Sequence, residues 1–182
     1  MKKNIKRAMA LILVVSTFLA LLALTSCGGV TSKIEGFLSS DSYTFKTGKF
    51  VVKKDDTSVY YTNGSVEKYL YYDKEAKNYY YGEISPEGKA TKTVIDSEKY
   101  IDYHENMVSA VAEISKFFTG FLQVSDMLTA DESGGYSFEG YKVMEADGVI
   151  TCTKEKTTLT VSEVGSTSVE IPEKIASIKA TR

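Results

Sequence analysis

The chain has no tryptophan, a single histidine, two prolines and two cysteines in 182 residues. One histidine excludes a zinc site built on a histidine cluster. No serine stands in a Gly-x-Ser-x-Gly elbow, no glycine-rich loop is spaced to cradle phosphate, and no HExxH pair is present. No nucleophile–base pair or metal constellation can therefore be named, and the chain is read as non-catalytic, with no cofactor. So few prolines beside abundant Thr, Val and Tyr favour sheet. No internal repeat or low-complexity linker divides the chain.

The N-terminus is basic and then apolar. Lys2, Lys3, Lys6 and Arg7 form a charged leader, and Ala8 to Leu24 is an apolar run of 17 residues interrupted by Ser16 and Thr17. A permanent spanning helix needs ~20 such residues. Small residues at Thr25 and Ser26 precede Cys27. Basic leader, apolar run and Leu24-Thr25-Ser26-Cys27 resemble the signal and lipobox of bacterial lipoproteins. The resemblance implies cleavage before Cys27, a diacylglyceryl thioether on its sulfur, and often an acyl group on the new amino terminus. Two acyl chains, at ~0.8 kcal/mol per buried methylene, hold a protein on a bilayer nearly permanently. The implied location is extracytoplasmic and lipid-anchored, with the membrane as partner. The alternative is an ordinary secretory signal with a chance cysteine behind it.

Organisation follows from this reading: residues 1–26 a signal peptide, 27–40 a flexible tether, and 41–182 one domain. The 156 residues after the signal suffice for one core. Without the four leader cations the balance is 18 basic against 24 acidic residues, a net −6. Such a surface is unsuited to nucleic acid or to lying flat on anionic lipid. With Cys27 lipidated, Cys152 has no intramolecular partner, so the core rather than a disulfide holds the fold.

From about Ser42 to Ile95 the sequence reads as a β-meander, with strands at Phe45 to Lys53, Thr57 to Thr62, Val66 to Tyr72, Asn78 to Ile84 and Lys92 to Ile95. Asn63-Gly64 is the strongest hairpin signal and predicts a type I′ turn; the overlapping Asn63-Gly64-Ser65 glycosylation sequon is read as that turn. The pattern changes at Asp96. Tyr100, His104, Met107, Val111, Ile114, Phe118 and Leu122 recur at three- and four-residue steps, which predicts an amphipathic helix of about six turns, ~35 Å long. Asp96 or Ser97 is placed to cap its start and Gly120 to end it, although the apolar phase runs on through Leu122. Asp131 to Gly135 reads as a loop. Further strands are predicted at Tyr136 to Tyr141, Lys142 to Glu145, Val149 to Lys154, Thr158 to Ser162 and Thr167 to Ile171. The fold class is α+β: a curved antiparallel sheet, an incomplete barrel, packed against one long amphipathic helix.

His104 lies in the apolar stripe and reads as a core or boundary histidine rather than a general base. Asp55-Asp56 and Asp131-Glu132 lack the alternating ligands of a calcium loop and read as solvated turn acids. Cys152 shares a strand face with Ile150 and reads as a small buried hydrophobe. Eight tyrosines fall between Tyr60 and Tyr81. Adjacent ones point to opposite sheet faces, so some pair across strands while others are free to form a stacking platform. The helix stripe has two readings with one pattern: a closed core, or the wall of a cavity in which Met107, Val111, Ile114 and Phe118 contact a hydrophobic ligand.

Lipobox, tyrosine-rich meander, amphipathic helix, further strands and the late Val169-Glu170-Ile171-Pro172 together resemble the LolA/LppX/LprG-like lipoprotein-carrier superfamily over about residues 40 to 180. The resemblance implies an incomplete antiparallel barrel over helices, enclosing an apolar cavity for acyl chains. The leading expectation is a membrane-anchored envelope lipoprotein that binds a lipid or other hydrophobic ligand between helix and sheet. The alternative is a structural or protein-interaction lipoprotein with a solid core, meeting an envelope protein through a tyrosine-bearing face or edge.

Overall fold

A computed structural model describes residues 29–181. The proposed signal peptide and Cys27 lie outside the described residues. The described chain opens with a helix over residues 29–39, α1. Six strands follow: β1 (Tyr43–Thr47), β2 (Phe50–Lys54), β3 (Ser58–Thr62), β4 (Glu67–Asp73), β5 (Asn78–Ile84) and β6 (Ala90–Ile95). Helix α2 (Ser97–Val124) runs into a 3-10 turn (Ser125–Met127), and β7 (Tyr136–Phe138), β8 (Tyr141–Ala146), β9 (Val149–Lys154), β10 (Thr157–Ser162) and α3 (Glu173–Ala176) complete the order.

The strands form one ten-stranded antiparallel sheet in the order β6-β5-β4-β3-β2-β1-β10-β9-β8-β7. Two meanders are joined at the centre by β1 and β10, where Phe45 faces Val161. The sheet is not closed into a barrel, and it packs against the long helix, as the sequence pattern predicts. Each edge strand carries one isolated bridge. Thr181 pairs in parallel with Thr93 on β6, and Ala130 bridges to Tyr136 on β7.

Helix α2 starts where the cap chemistry dictates. The backbone N–H of Lys99 donates to the Asp96 carboxylate at 2.8 Å. Gly120 does not end the helix, because Phe121 is buried in the next half-turn and the apolar stripe continues. The helix crosses the strands rather than following them. Near its start Tyr100 meets Tyr79 of β5, with ring centroids 4.6 Å apart. Near its end Phe117 and Phe121 meet Phe138 of β7 at 5.2 and 5.7 Å. The eight strand spacings from β5 to β7 span ~38 Å, and the 21 residues from Tyr100 to Phe121 rise ~32 Å. One helix therefore reaches nearly from edge to edge.

The predicted flexible tether, 27–40, is corrected over residues 29–39. Residues 29–39 are helical, and Val30, Ile34 and Phe37 are buried in the main core. Their spacing of four and three residues places them on one helix face. Burying three such side chains contributes ~1.5–3 kcal/mol each, which outweighs the flexibility suggested by Gly28-Gly29. Phe37 stands edge-on to Phe118 of α2 at 5.7 Å, so the two helices share one core.

Several turns differ from expectation. The predicted strand Phe45 to Lys53 is two strands, split by a hairpin at Gly48-Lys49 in which Gly48 has φ +56°. Tyr136 to Tyr141 is likewise split, by Glu139-Gly140. Asn63-Gly64 does turn a hairpin, but the pairing of Thr62 with Glu67 leaves four residues in the loop. There the Asn63 side-chain oxygen accepts from the backbone N–H groups of Ser65 and Val66, a local ring that replaces the I′ turn. Two positive φ angles in a two-residue loop occur instead at Glu139-Gly140 and at Asp147-Gly148.

Thr167 to Ile171 is not a strand. The outer face of β3 to β6 carries Tyr60, Tyr69, Tyr71, Tyr80 and Ile84, and it needs a cover. The C-terminal segment supplies it. The Val169 N–H donates to Asp55 Oδ2 at 2.8 Å, and Ile175, fully buried, seats against Gly82. A β-carbon at Gly82 would stand 2.8 Å from Ile175 Cγ2, so the bare glycine makes the notch. Lys92 Nζ donates to the Ala176 carbonyl at 3.2 Å and lies 4.5 Å from the Tyr80 ring centre. The C-terminal segment thus covers the outer face over β3 to β6.

Candidate functional site

The expected ligand contacts are core residues in this structure. Met107, Val111, Ile114 and Phe118 are 0–7 % exposed and belong to one apolar cluster with α1 and the sheet. Of the four, Met107 also lines an open cleft.

That cleft follows from the direction of α2. The helix leaves the β6 end of the sheet where β6 finishes, and its later turns pack near the β7–β8 turn at the opposite ends of the strands. A diagonal cover leaves two corners of the face open. Helix α1 fills one of them: Gly29 lies beside Glu145 and Lys33 beside Gly148, at the β8–β9 turn. The other corner, where β2 begins, β3 ends, β4 begins and β5 ends, stays uncovered. A cleft of about 350 Å³ lies there, lined by Tyr61, Lys68, Tyr81, Tyr103, Asn106 and Met107. Ligand clefts commonly measure roughly 300–1,000 Å³.

Strand alternation and register bring these groups together. Tyr61 faces Lys68 across β3 and β4, and Lys68 faces Glu83 across β4 and β5. Tyr81, two residues before Glu83, shares its face. Tyr103 of α2 stacks on Tyr81 with centroids 4.5 Å apart and planes inclined by 16°. The Lys68 ammonium sits 5.9 Å from the Tyr61 ring centre. The Tyr81 hydroxyl donates to Glu83 Oε2 at 2.7 Å. Burial first, and then that bond to a carboxylate, hold the Tyr81 phenol far above its ordinary pKa. It stays protonated and keeps Glu83 occupied. Phe50, 46 % exposed, extends the aromatic row from Tyr61, with ring centres 6.3 Å apart.

This arrangement offers ring faces, a thioether, an amide and an ammonium group in a place water reaches. It can stack a ring and hydrogen-bond its rim. The four aromatic residues and Lys68 come from β2, β3, β4, β5 and α2. Their sequence signal was the tyrosine run and Tyr103 beside the helical stripe; their convergence depends on which way the helix crosses.

The other expected sites resolve as follows. His104 is half-buried at the start of α2, in a cleft with Asp41, Lys54, Asp55, Asp56 and Glu105. Burial, then the Lys54 charge, lowers its pKa against the opposing pull of Glu105. Cys152 is fully buried, and burial pushes its thiol up to about 12, so it is an inert core residue. Asp55 ties down the chain rather than facing water alone, accepting from Thr57 and Val169. Asp131 organises its loop: it accepts from Ser133 and Gly135 and pairs with Lys142 at 2.6 Å. Among the described residues no group of three or more His, Cys, Asp or Glu is placed to hold a metal ion. Nor is any helix among them long and apolar enough to cross a membrane.

Outside the cleft the tyrosines pair across strands, Tyr60 with Tyr69 at 5.1 Å and Tyr71 with Tyr80 at 5.3 Å. These pairs lie beneath the C-terminal segment. Comparison with family models, curated proteins and solved structures finds no match to this chain.

Proposed function

We propose that this protein is a cell-envelope lipoprotein, anchored to a membrane through Cys27, that binds a ligand with an apolar face without catalysis. The observation that carries the binding reading is the aromatic cleft at the uncovered corner of the sheet. The anchoring reading rests on the lipobox-like residues at Leu24 to Cys27. Only Gly28 lies between Cys27 and Gly29, so two residue steps give a reach of ~7 Å at full extension. A lipidated Cys27 would therefore hold the α1 corner close to the bilayer, with the aromatic cleft at the opposite ends of the strands.

The packing of Val111, Ile114 and Phe118 favours the second reading, an interaction lipoprotein with a solid core. The two readings differ in whether a small molecule is bound at all. Native mass spectrometry of the intact lipoprotein tests both. The first expects lipid mass at Cys27, lost in Cys27→Ser, and a bound small molecule lost in Tyr103→Ala while the fold persists. A lipidated but otherwise bare polypeptide supports the second. An unmodified Cys27 refutes the anchor.

A further inference from the structure

The aromatic cleft carries an assignment of ligand class, which rests on the binding reading above. We infer that it takes a sugar ring bearing one carboxylate, an acidic glycan unit rather than an acyl chain. Four observations point the same way. First, the cleft is open and mixed in character. An acyl chain needs an enclosed apolar wall to leave water, whereas here the apolar interior beneath α2 is occupied by the protein's own side chains. A sugar needs only one apolar face covered, and its hydroxyls remain in contact with water and amide groups.

Second, the ring surface is of the required kind. Tyr103, 37 % exposed and stacked on Tyr81, forms a two-ring platform at the rim, with Tyr61 across the cleft. A stacked pair presents a rigid face at little cost in side-chain freedom. Third, Asn106 at the rim has one amide hydrogen engaged by the Asp102 carbonyl at 2.8 Å and keeps its second hydrogen and its oxygen for vicinal hydroxyls.

Fourth, the charges define the substituent. Lys68 is the one cation in the cleft lining, and among the described residues no carboxylate oxygen lies within 4 Å of its ammonium. Glu83, directly across from it, is engaged by the Tyr81 hydroxyl. Lys68 can thus take one carboxylate, while Glu83 disfavours a second anion close by. That selects a singly acidic unit over a polyanion.

The test uses the intact lipoprotein in neutral detergent micelles and a disaccharide of glucuronic acid and N-acetylglucosamine. The comparison ligand is the same disaccharide with its carboxylate reduced to the alcohol. Titration calorimetry gives affinity, and saturation-transfer NMR identifies the ring protons held against protein. The acidic form is expected to bind about tenfold more tightly than the neutral one, the size of one charge-assisted hydrogen bond. Lys68→Gln should erase that difference, leaving the neutral form unchanged. Tyr103→Ala should weaken both about fivefold, with Tyr103→Phe restoring them. Unchanged circular dichroism in each variant separates these effects from unfolding. Equal affinity for both forms overturns the acidic assignment. No response to either sugar, with a lipid or peptide retained in native mass spectrometry, overturns the glycan assignment and leaves the binding reading intact. No response and no retained molecule sinks both.

Discussion

The notch between Gly82 and Ile175 allows a quantitative test of the claim that the C-terminal segment is part of the fold. Ile175 is fully buried on a one-turn helix, against a cluster of tyrosines that would otherwise face water. Ile175→Ala removes three carbons from a closed site and should cost ~2–5 kcal/mol, the range for a buried isoleucine truncated to alanine. Gly82→Ala places a methyl 2.8 and 3.1 Å from two Ile175 carbons. Those carbons belong to a side chain that can shift, so the overpacking penalty should be ~1–3 kcal/mol. In the double variant the new methyl enters the space the isoleucine left, and the costs should fall short of their sum by at least ~1 kcal/mol. Urea denaturation followed by far-UV circular dichroism gives all four corners of the cycle, and tyrosine fluorescence reports the outer face directly. Additive costs would refute direct contact between the two residues. A loss below ~0.5 kcal/mol for Ile175→Ala, a size typical of surface substitutions, would refute the docking of the segment itself.

Other consequences are simpler to measure. Phe118→Ala should lower stability by ~3–5 kcal/mol in the same assay, because Phe118 is fully buried between α1 and the sheet; retention of wild-type stability would mean that α2 does not close the core. Cys152, with its thiol pushed up to about 12, should resist a thiol reagent at pH 8 in the folded protein and react fully in denaturant; rapid native labelling would show a solvated thiol. The Asp131 carboxyl, held down chiefly by Lys142 and then Ser133, should remain ionised below the ordinary carboxylate range in an NMR titration. Because its folded pKa lies below the unfolded one, its contribution to stability is present above the ordinary range and is lost as pH falls through the depressed value. Asp131→Asn should remove that acid-limb dependence, and an unchanged limb would refute the assignment.

How much was legible depended on whether a signal was local. The long helix was, because its stripe from Tyr100 to Leu122 and its Asp96 cap lie within one stretch of chain. Most strands of both meanders were, because alternation and turns are also local. Helix α1 was missed although Val30, Ile34 and Phe37 carry its spacing, since a short apolar period beside Gly28-Gly29 reads equally as a tether. The outer tyrosine layer was anticipated only as a choice between pairing and exposure. Its cover comes from a segment about 90 residues downstream of Gly82, and nothing local to either partner announces the match.

The sequence by itself determined the class of fold, the amphipathic helix, several of the hairpins and the inertness of Cys152, because each follows from periodicity, turn chemistry or side-chain polarity within a few residues. Tertiary structure alone decided that Val111, Ile114 and Phe118 serve the core, that the C-terminal segment covers the outer face of β3 to β6, and that Tyr61, Lys68, Tyr81 and Tyr103 meet. Those outcomes depend on the direction in which one helix crosses the ten-stranded sheet. That direction is set by packing summed over the whole sheet, with α1 competing for one corner and leaving the other open.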